Sequence, residues 1–112
     1  MRYKMKLRER PFNKIKEGTK IIELRLLDEK RSLLKIKDEI EFTNINNNET
    51  LLTTIEELYK YNSFEELYKH FDKVSLGYDK NEKASYKDME DYYSIEEQNK
   101  YGVVGIKIKV LK

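Results

Sequence analysis

The stretch Gly18-Thr19-Lys20-Ile21-Ile22-Glu23-Leu24-Arg25-Leu26-Leu27 decides how this chain is read. Gly18 is a natural helix stop, and residues 20–27 after it have the apolar density of a strand. Ile22, Leu24 and Leu26 share one face of that strand; Ile21, Glu23, Arg25 and Leu27 share the other. Unpaired ions are costly to bury, so charges inside so apolar a run mark a place where burial and chemistry compete. Glu23 and Arg25 leave the same face, about 6.5–7 Å apart along the strand. Lys20 has the opposite parity. It joins them only if the chain bends at the helix–strand corner, where Gly18 frees the backbone.

Upstream, residues 2–8 alternate, with Tyr3, Met5 and Leu7 against Arg2, Lys4, Lys6 and Arg8, the period of a half-buried strand. Pro11 suits the first turn of a short helix with Phe12 and Ile15 on its buried side. Downstream, residues 28–35 are charged and read as irregular or one helical turn. Residues 39–45 alternate again, with Ile40 and Phe42 inward; residues 50–61 read as a strand, with a helix as the competitor. Ser63-x-x-Glu66 is a capping box ahead of Phe64, Leu67, Tyr68 and Phe71. Ser85 precedes a short helix holding Met89, Tyr92 and Tyr93, and Ser94-x-x-Glu97 opens another. Val104, Ile106, Ile108 and Val110 point inward from a closing strand, with Lys107 and Lys109 outward. About five strands without regular βαβ alternation predict an α+β fold: a small, mostly antiparallel β-barrel with short flanking helices.

The 112 residues suffice for one domain, 1–112, with one real core. The absence of cysteine excludes a disulfide framework, a thiolate zinc site and a cysteine nucleophile. No apolar run approaches the roughly 18 residues of a membrane span. The basic start lacks the apolar stretch of a secretory signal, so a cytoplasmic protein is expected. The net charge of +2 hides an asymmetry. Residues 1–37 carry 13 Lys/Arg against 5 Asp/Glu, and the remainder 10 against 16. A basic third suits an anionic ligand, nucleic acid included; it equally suits pairing with the acidic remainder.

Lys20, Glu23 and Arg25 place cation, anion and cation within six residues. Arg25 and Lys20 suit a phosphate or carboxylate, and a lysine beside a cation and an apolar wall suits a general base. The competing structural reading is a Glu23–Arg25 ion pair that holds strand register.

The spacing G-x-K-x-x-E-x-R, complete at Gly18, Lys20, Glu23 and Arg25, resembles the signature of the ASCH domain family, whose fold is similar to the PUA barrel. Four further segments agree. They are the P-F-x-x-I of Pro11 to Ile15, the K-x-x-D-x-I-x-F of Lys35, Asp38, Ile40 and Phe42, the Y-N-S-F-E-E-L of Tyr61 to Leu67, and the block from Tyr92-Tyr93-Ser94 through Tyr101-Gly102 to Ile106. The likeness covers nearly the whole chain and is that of a small stand-alone, bacterial-type member. Lys37 departs from it, standing where the family commonly has glycine, and so calls for another turn geometry.

The resemblance implies binding of RNA or a nucleotide in a cleft lined by the motif. Some members are enzymes: one branch hydrolyses N4-acetylcytidine with a Lys, a Thr and a Glu, and another member is a ribonuclease. Lys20 matches the lysine of that branch, but Glu23 stands where its threonine would be, and a carboxylate is a poor substitute for a hydroxyl in acyl chemistry. Three readings follow. In a binding module Lys20, Glu23, Arg25 and Tyr93 hold RNA or a nucleotide. In a hydrolase Lys20 is the base, with Glu23, Tyr93 and Glu97 or its neighbour Glu96 assisting. In a non-catalytic protein-interaction module the motif is structural. No cofactor and no metal are expected, and the oligomeric state is open.

Other features have two readings each. The stripe Arg2, Lys4, Lys6, Arg8 tracks phosphates or protects an edge strand. Tyr92, Tyr93 and Tyr101 stack bases or pack the core. His70 is the lone histidine and reads as a surface residue; Asp88, Glu90, Asp91, Glu96 and Glu97 read as a solvated acidic face or a site for a hard cation.

Overall fold

Five strands form one mixed sheet in the order β1-β3-β4-β5-β2, in a computed structural model that describes residues 1–111. In chain order the elements are β1 (Arg2–Leu7), α1 (Glu9–Glu17), β2 (Ile22–Leu26), β3 (Glu39–Asn44), β4 (Thr50–Tyr61), α2 (Phe64–Tyr68), α3 (Ile95–Tyr101) and β5 (Val103–Val110). Two 3-10 helices, Arg31–Leu33 and Tyr86–Asp91, lie between them. Among the described residues only the β1–β3 ladder is parallel; β3–β4, β4–β5 and β5–β2 are antiparallel. The α+β, mostly antiparallel architecture thus stands, as a half-barrel whose two edges are β1 and β2.

Both faces of the sheet are covered. On β5, Val104, Ile106 and Ile108 join Met5, Leu7, Phe12, Ile15, Ile40, Phe42 and Ile55 in one core. Val103 looks the other way and joins Ile22, Leu24, Leu26, Phe64, Leu67, Leu76 and Met89 in a second. This accounts for the unbroken burial of Val103 to Ile106 at the start of β5, while further on Lys107 and Lys109 alternate with Ile108 and Val110. Residues 50–61 are one long strand, not a helix, because both β3 and β5 pair with it. The Ser85 segment winds as a 3-10 helix, capped by the Ser85 side chain. No helix among the described residues is long and apolar enough to cross a membrane.

Lys37 keeps the left-handed backbone that a glycine would take, with φ 79°, rather than a different turn. Its N–H donates to the Ile55 carbonyl at 2.8 Å, which fixes the peptide in place. A side chain in that region costs about 1–2 kcal/mol, against about 0.5–1 kcal/mol for the greater chain entropy of glycine. Lys37→Gly is therefore expected to stabilise the protein by about 0.5–1 kcal/mol, raising Tm by roughly 2–6 °C in a thermal melt. An unchanged or lower Tm would show the turn to be relaxed as it stands.

Candidate ligand pocket at the sheet seam

The seam between β1 and β2 places the motif. The amphipathic helix α1 ends at Gly18, which has φ 90°. Beyond it the Lys14 carbonyl accepts from the N–H groups of Gly18, Thr19 and Lys20, each at 3.1 Å. This tight wrap turns the chain before β2 begins, so Lys20 escapes strand parity. Its ammonium reaches 3.4 Å from Glu23 Oε1 and donates to the Leu76 carbonyl at 2.9 Å. Arg25 Nε donates to Glu23 Oε2 at 2.7 Å, and its Nη2 donates to the Lys6 carbonyl at 3.1 Å. The guanidinium therefore spans the gap between the two edge strands where no backbone ladder closes it. Glu23 and Arg25 sit opposite Ile106 and Val104 on β5, so they rise from the inner face of the half-barrel.

Lys20 and Glu23 are 6% and 5% exposed, so the cluster is a floor rather than a surface patch. Burial works to raise the Glu23 carboxyl, but Arg25 and Lys20 outweigh it and hold that group below the ordinary range. Burial lowers the proton affinity of Lys20; Arg25 adds to this and Glu23 resists it. For Arg25, burial acts downward but is overcome by Glu23 and Tyr93, and the guanidinium is held more firmly charged. Two cations share one carboxylate, and the floor is net positive.

Above it opens a pocket of about 540 Å³, a volume typical of small-molecule sites. Lys20, Glu23, Arg25 and Tyr93 all line it. The ring of Tyr93 stacks on Phe64 at 5.9 Å, and its hydroxyl lies within the electrostatic reach of Arg25 and Glu23. Burial raises its pKa. Lys6, Arg8 and Arg10 also line it, as do Glu82, Asp88 and Asp91, with Arg10 paired to Glu82.

Glu97 is not brought to this site. Its side chain accepts from the Ser94 N–H at 3.0 Å, while its own N–H is capped by Ser94 at 3.1 Å. It closes the capping box of α3, exposed to solvent, and the capping geometry that betrayed the helix start is its whole visible use. Glu96 and Tyr101 are likewise absent from the pocket wall. His70 stacks on Tyr61 at 5.0 Å on the surface.

Sequence reasoning missed the segment that faces the motif. Gly77, at φ 110°, packs so closely that a Cβ there would lie 3.0 Å from Lys20 Cδ and 3.4 Å from its Nζ. The Ser75 carbonyl accepts from the N–H groups of Ile21 and Ile22, at 3.0 Å each, tying the same loop to the start of β2. Tyr68 and Tyr78 share a hydroxyl–hydroxyl bond of 2.9 Å, and Tyr78 reaches Asp88 Oδ2 at 2.7 Å. One cue was present: a single glycine between Leu76 and Tyr78 in an otherwise side-chain-rich loop.

Comparison with solved structures bears on the family. The chain is 30% identical to the hypothetical protein PH0355, with a TM-score of 0.84 over 99% of this chain and 100% of that one. It is 33% identical to protein PF0455 from Pyrococcus furiosus, with a TM-score of 0.73 over 100% and 99% of the two chains. ASCH from Zymomonas mobilis shares the fold at 13% identity, with a TM-score of 0.67 over 95% of this chain and 65% of that one. No curated protein matches the chain. The family model of the ASCH domain matches residues 5–112, nearly the whole chain, and the protein belongs to the ASCH domain family.

Proposed function

We propose that the seam pocket binds a nucleotide unit of RNA, with its anionic part held by Arg25 and Lys20. The observation that carries this reading is the net positive floor, Lys20–Glu23–Arg25, beneath a pocket walled by tyrosines and rimmed by Lys6, Arg8 and Arg10. A phosphate gains charge-assisted hydrogen bonds from donors already held in place. A base gains aromatic faces. Glu23 orients both cations and so fixes where the anion sits.

Lys20→Ala is expected to weaken binding of single-stranded RNA about tenfold or more at matched salt, since hydrogen bonds to charged groups contribute roughly 1.5–3 kcal/mol. The far-ultraviolet spectrum should stay native. Fluorescence anisotropy with a labelled RNA hexamer measures the change. Binding equal to that of the native chain would remove the lysine from the site.

One observation supports a catalytic role beside binding: burial lowers the proton affinity of Lys20, as a general base requires. Product formation from N4-acetylcytidine or from single-stranded RNA separates that role from binding alone. Measurable binding with no product from either leaves the binding module standing.

A further inference from the structure

We infer that Tyr92 and Arg8 form a second, base-stacking subsite at the mouth of the pocket, so that the ligand is a single-stranded oligonucleotide rather than a free nucleotide. The inference rests on the nucleotide reading of the pocket and extends it to ligand length.

Tyr92 and Tyr93 are consecutive but serve different surroundings. Tyr93 is part-buried, stacked on Phe64 and close to Arg25. Tyr92 is 53% exposed and outside both apolar cores, although it too lines the pocket. The ring thus stands at the pocket rim, held by neither apolar core. The ring is also braced. Arg8 Cζ stands 5.0 Å from its centre, and Arg8 Nη1 donates to its hydroxyl at 3.4 Å. The guanidinium covers one side of the ring, and the exposure of Tyr92 leaves room for a planar group on the other. A base laid there completes a stack of base, ring and guanidinium.

The chemistry around this stack suits a chain. Arg8 is the residue before α1, and Arg10 lies in its first turn, tied to Asp79 and Glu82 on the facing loop. Lys6 is exposed and makes no ion pair among the described residues. These cations line the same pocket as the floor, and the phosphate joining two nucleotides would meet them there. A lone nucleotide in the pocket uses the floor and leaves Tyr92 idle. A dinucleotide or longer strand uses both. Stacking tolerates any base, so this subsite adds affinity for length and not for sequence.

The test compares mononucleotides, AMP and UMP, with the single strands rA6 and rU6 at one salt concentration. Amide chemical-shift titration reads the mononucleotides, and anisotropy of labelled strands reads the hexamers. The hexamers should bind at least tenfold more tightly than the mononucleotides. Tyr92→Ala should weaken hexamer binding about tenfold and leave mononucleotide binding within twofold. Tyr92→Phe should retain the native hexamer affinity, because the ring and not the hydroxyl carries the stack. Mononucleotides that bind as tightly as hexamers, or a Tyr92→Ala variant that binds hexamers like the native chain, would overturn the subsite and leave the pocket reading intact. A native chain that binds neither class overturns both. Thermal melts of the two variants, expected to match the native one because Tyr92 lies outside the cores, separate these outcomes from misfolding.

Discussion

Glu23→Gln is expected to destabilise the protein by about 3–5 kcal/mol, the loss found when one partner of a buried ion pair is removed. The substitution hardly changes shape. It leaves the Lys20 ammonium and the Arg25 guanidinium facing one another in a place almost closed to water. Thermal or urea unfolding should show Tm lower by at least roughly 10 °C. Adding Lys20→Met should restore part of the loss, since the remaining cation then has no like-charged neighbour. A double-mutant cycle isolates the coupling. Should Glu23→Gln melt within about 2 °C of the native chain, water must reach the cluster far more freely than its burial indicates.

The same carboxylate sets a pH dependence. Its folded pKa lies below the unfolded value of about 4.3. The stabilisation is therefore present above that unfolded value and is lost as pH falls through the folded one. Glu23→Gln should flatten the acid limb of the stability profile. Lys20 has the same sign in an alkaline window: its folded pKa also lies below its unfolded value, about 10.4, so stability again rises with pH between the two.

Gly77→Ala is the second large effect. At φ 110° any side chain is strained, at a cost of about 1–2 kcal/mol. The added methyl also meets Lys20 Cδ at 3.0 Å, in a site where the ammonium is tied to the Leu76 carbonyl and Glu23. Something must shift, and the lysine is the movable party. A combined loss of about 2–3 kcal/mol is expected, of which overpacking contributes about 1 kcal/mol or more. RNA binding should weaken as well. Gly18→Ala is the control. Its φ is 90°, but nothing lies within 4 Å of the new methyl, so only the backbone strain of about 1 kcal/mol applies and binding should survive. Equal effects of the two substitutions on unfolding and binding would mean that Gly77 serves the backbone alone.

Much of this protein was legible in its residues. Alternation in residues 2–8, 39–45 and 104–110 reports sheet faces directly, because side chains on a strand change sides at every residue. Ser63 and Ser94 mark helix starts through local hydrogen bonds, one-way from the Glu66 N–H at Ser63 and reciprocal with Glu97 at Ser94, which need no tertiary partner. Gly18 announced the corner that frees Lys20. The grouping of Lys20, Glu23 and Arg25 could be read because all three lie within one turn and strand, so local geometry brings them together.

What depended on distant contacts was not legible. Glu97 shared the composition of a catalytic residue, but helix capping uses the same side chain and holds it away from the pocket. Gly77 and the Leu76 carbonyl lie more than 50 residues from Lys20, and no periodicity links them to it. The strand order that sets β1 and β2 at opposite edges, bridged by Arg25, is likewise a property of the assembled sheet. Sequence by itself determined the elements, their buried faces and the charged trio, since these follow from neighbours along the chain. Only the tertiary structure decided that the trio is a buried floor under a pocket. Burial and the lining of a cavity depend on what distant segments pack above them.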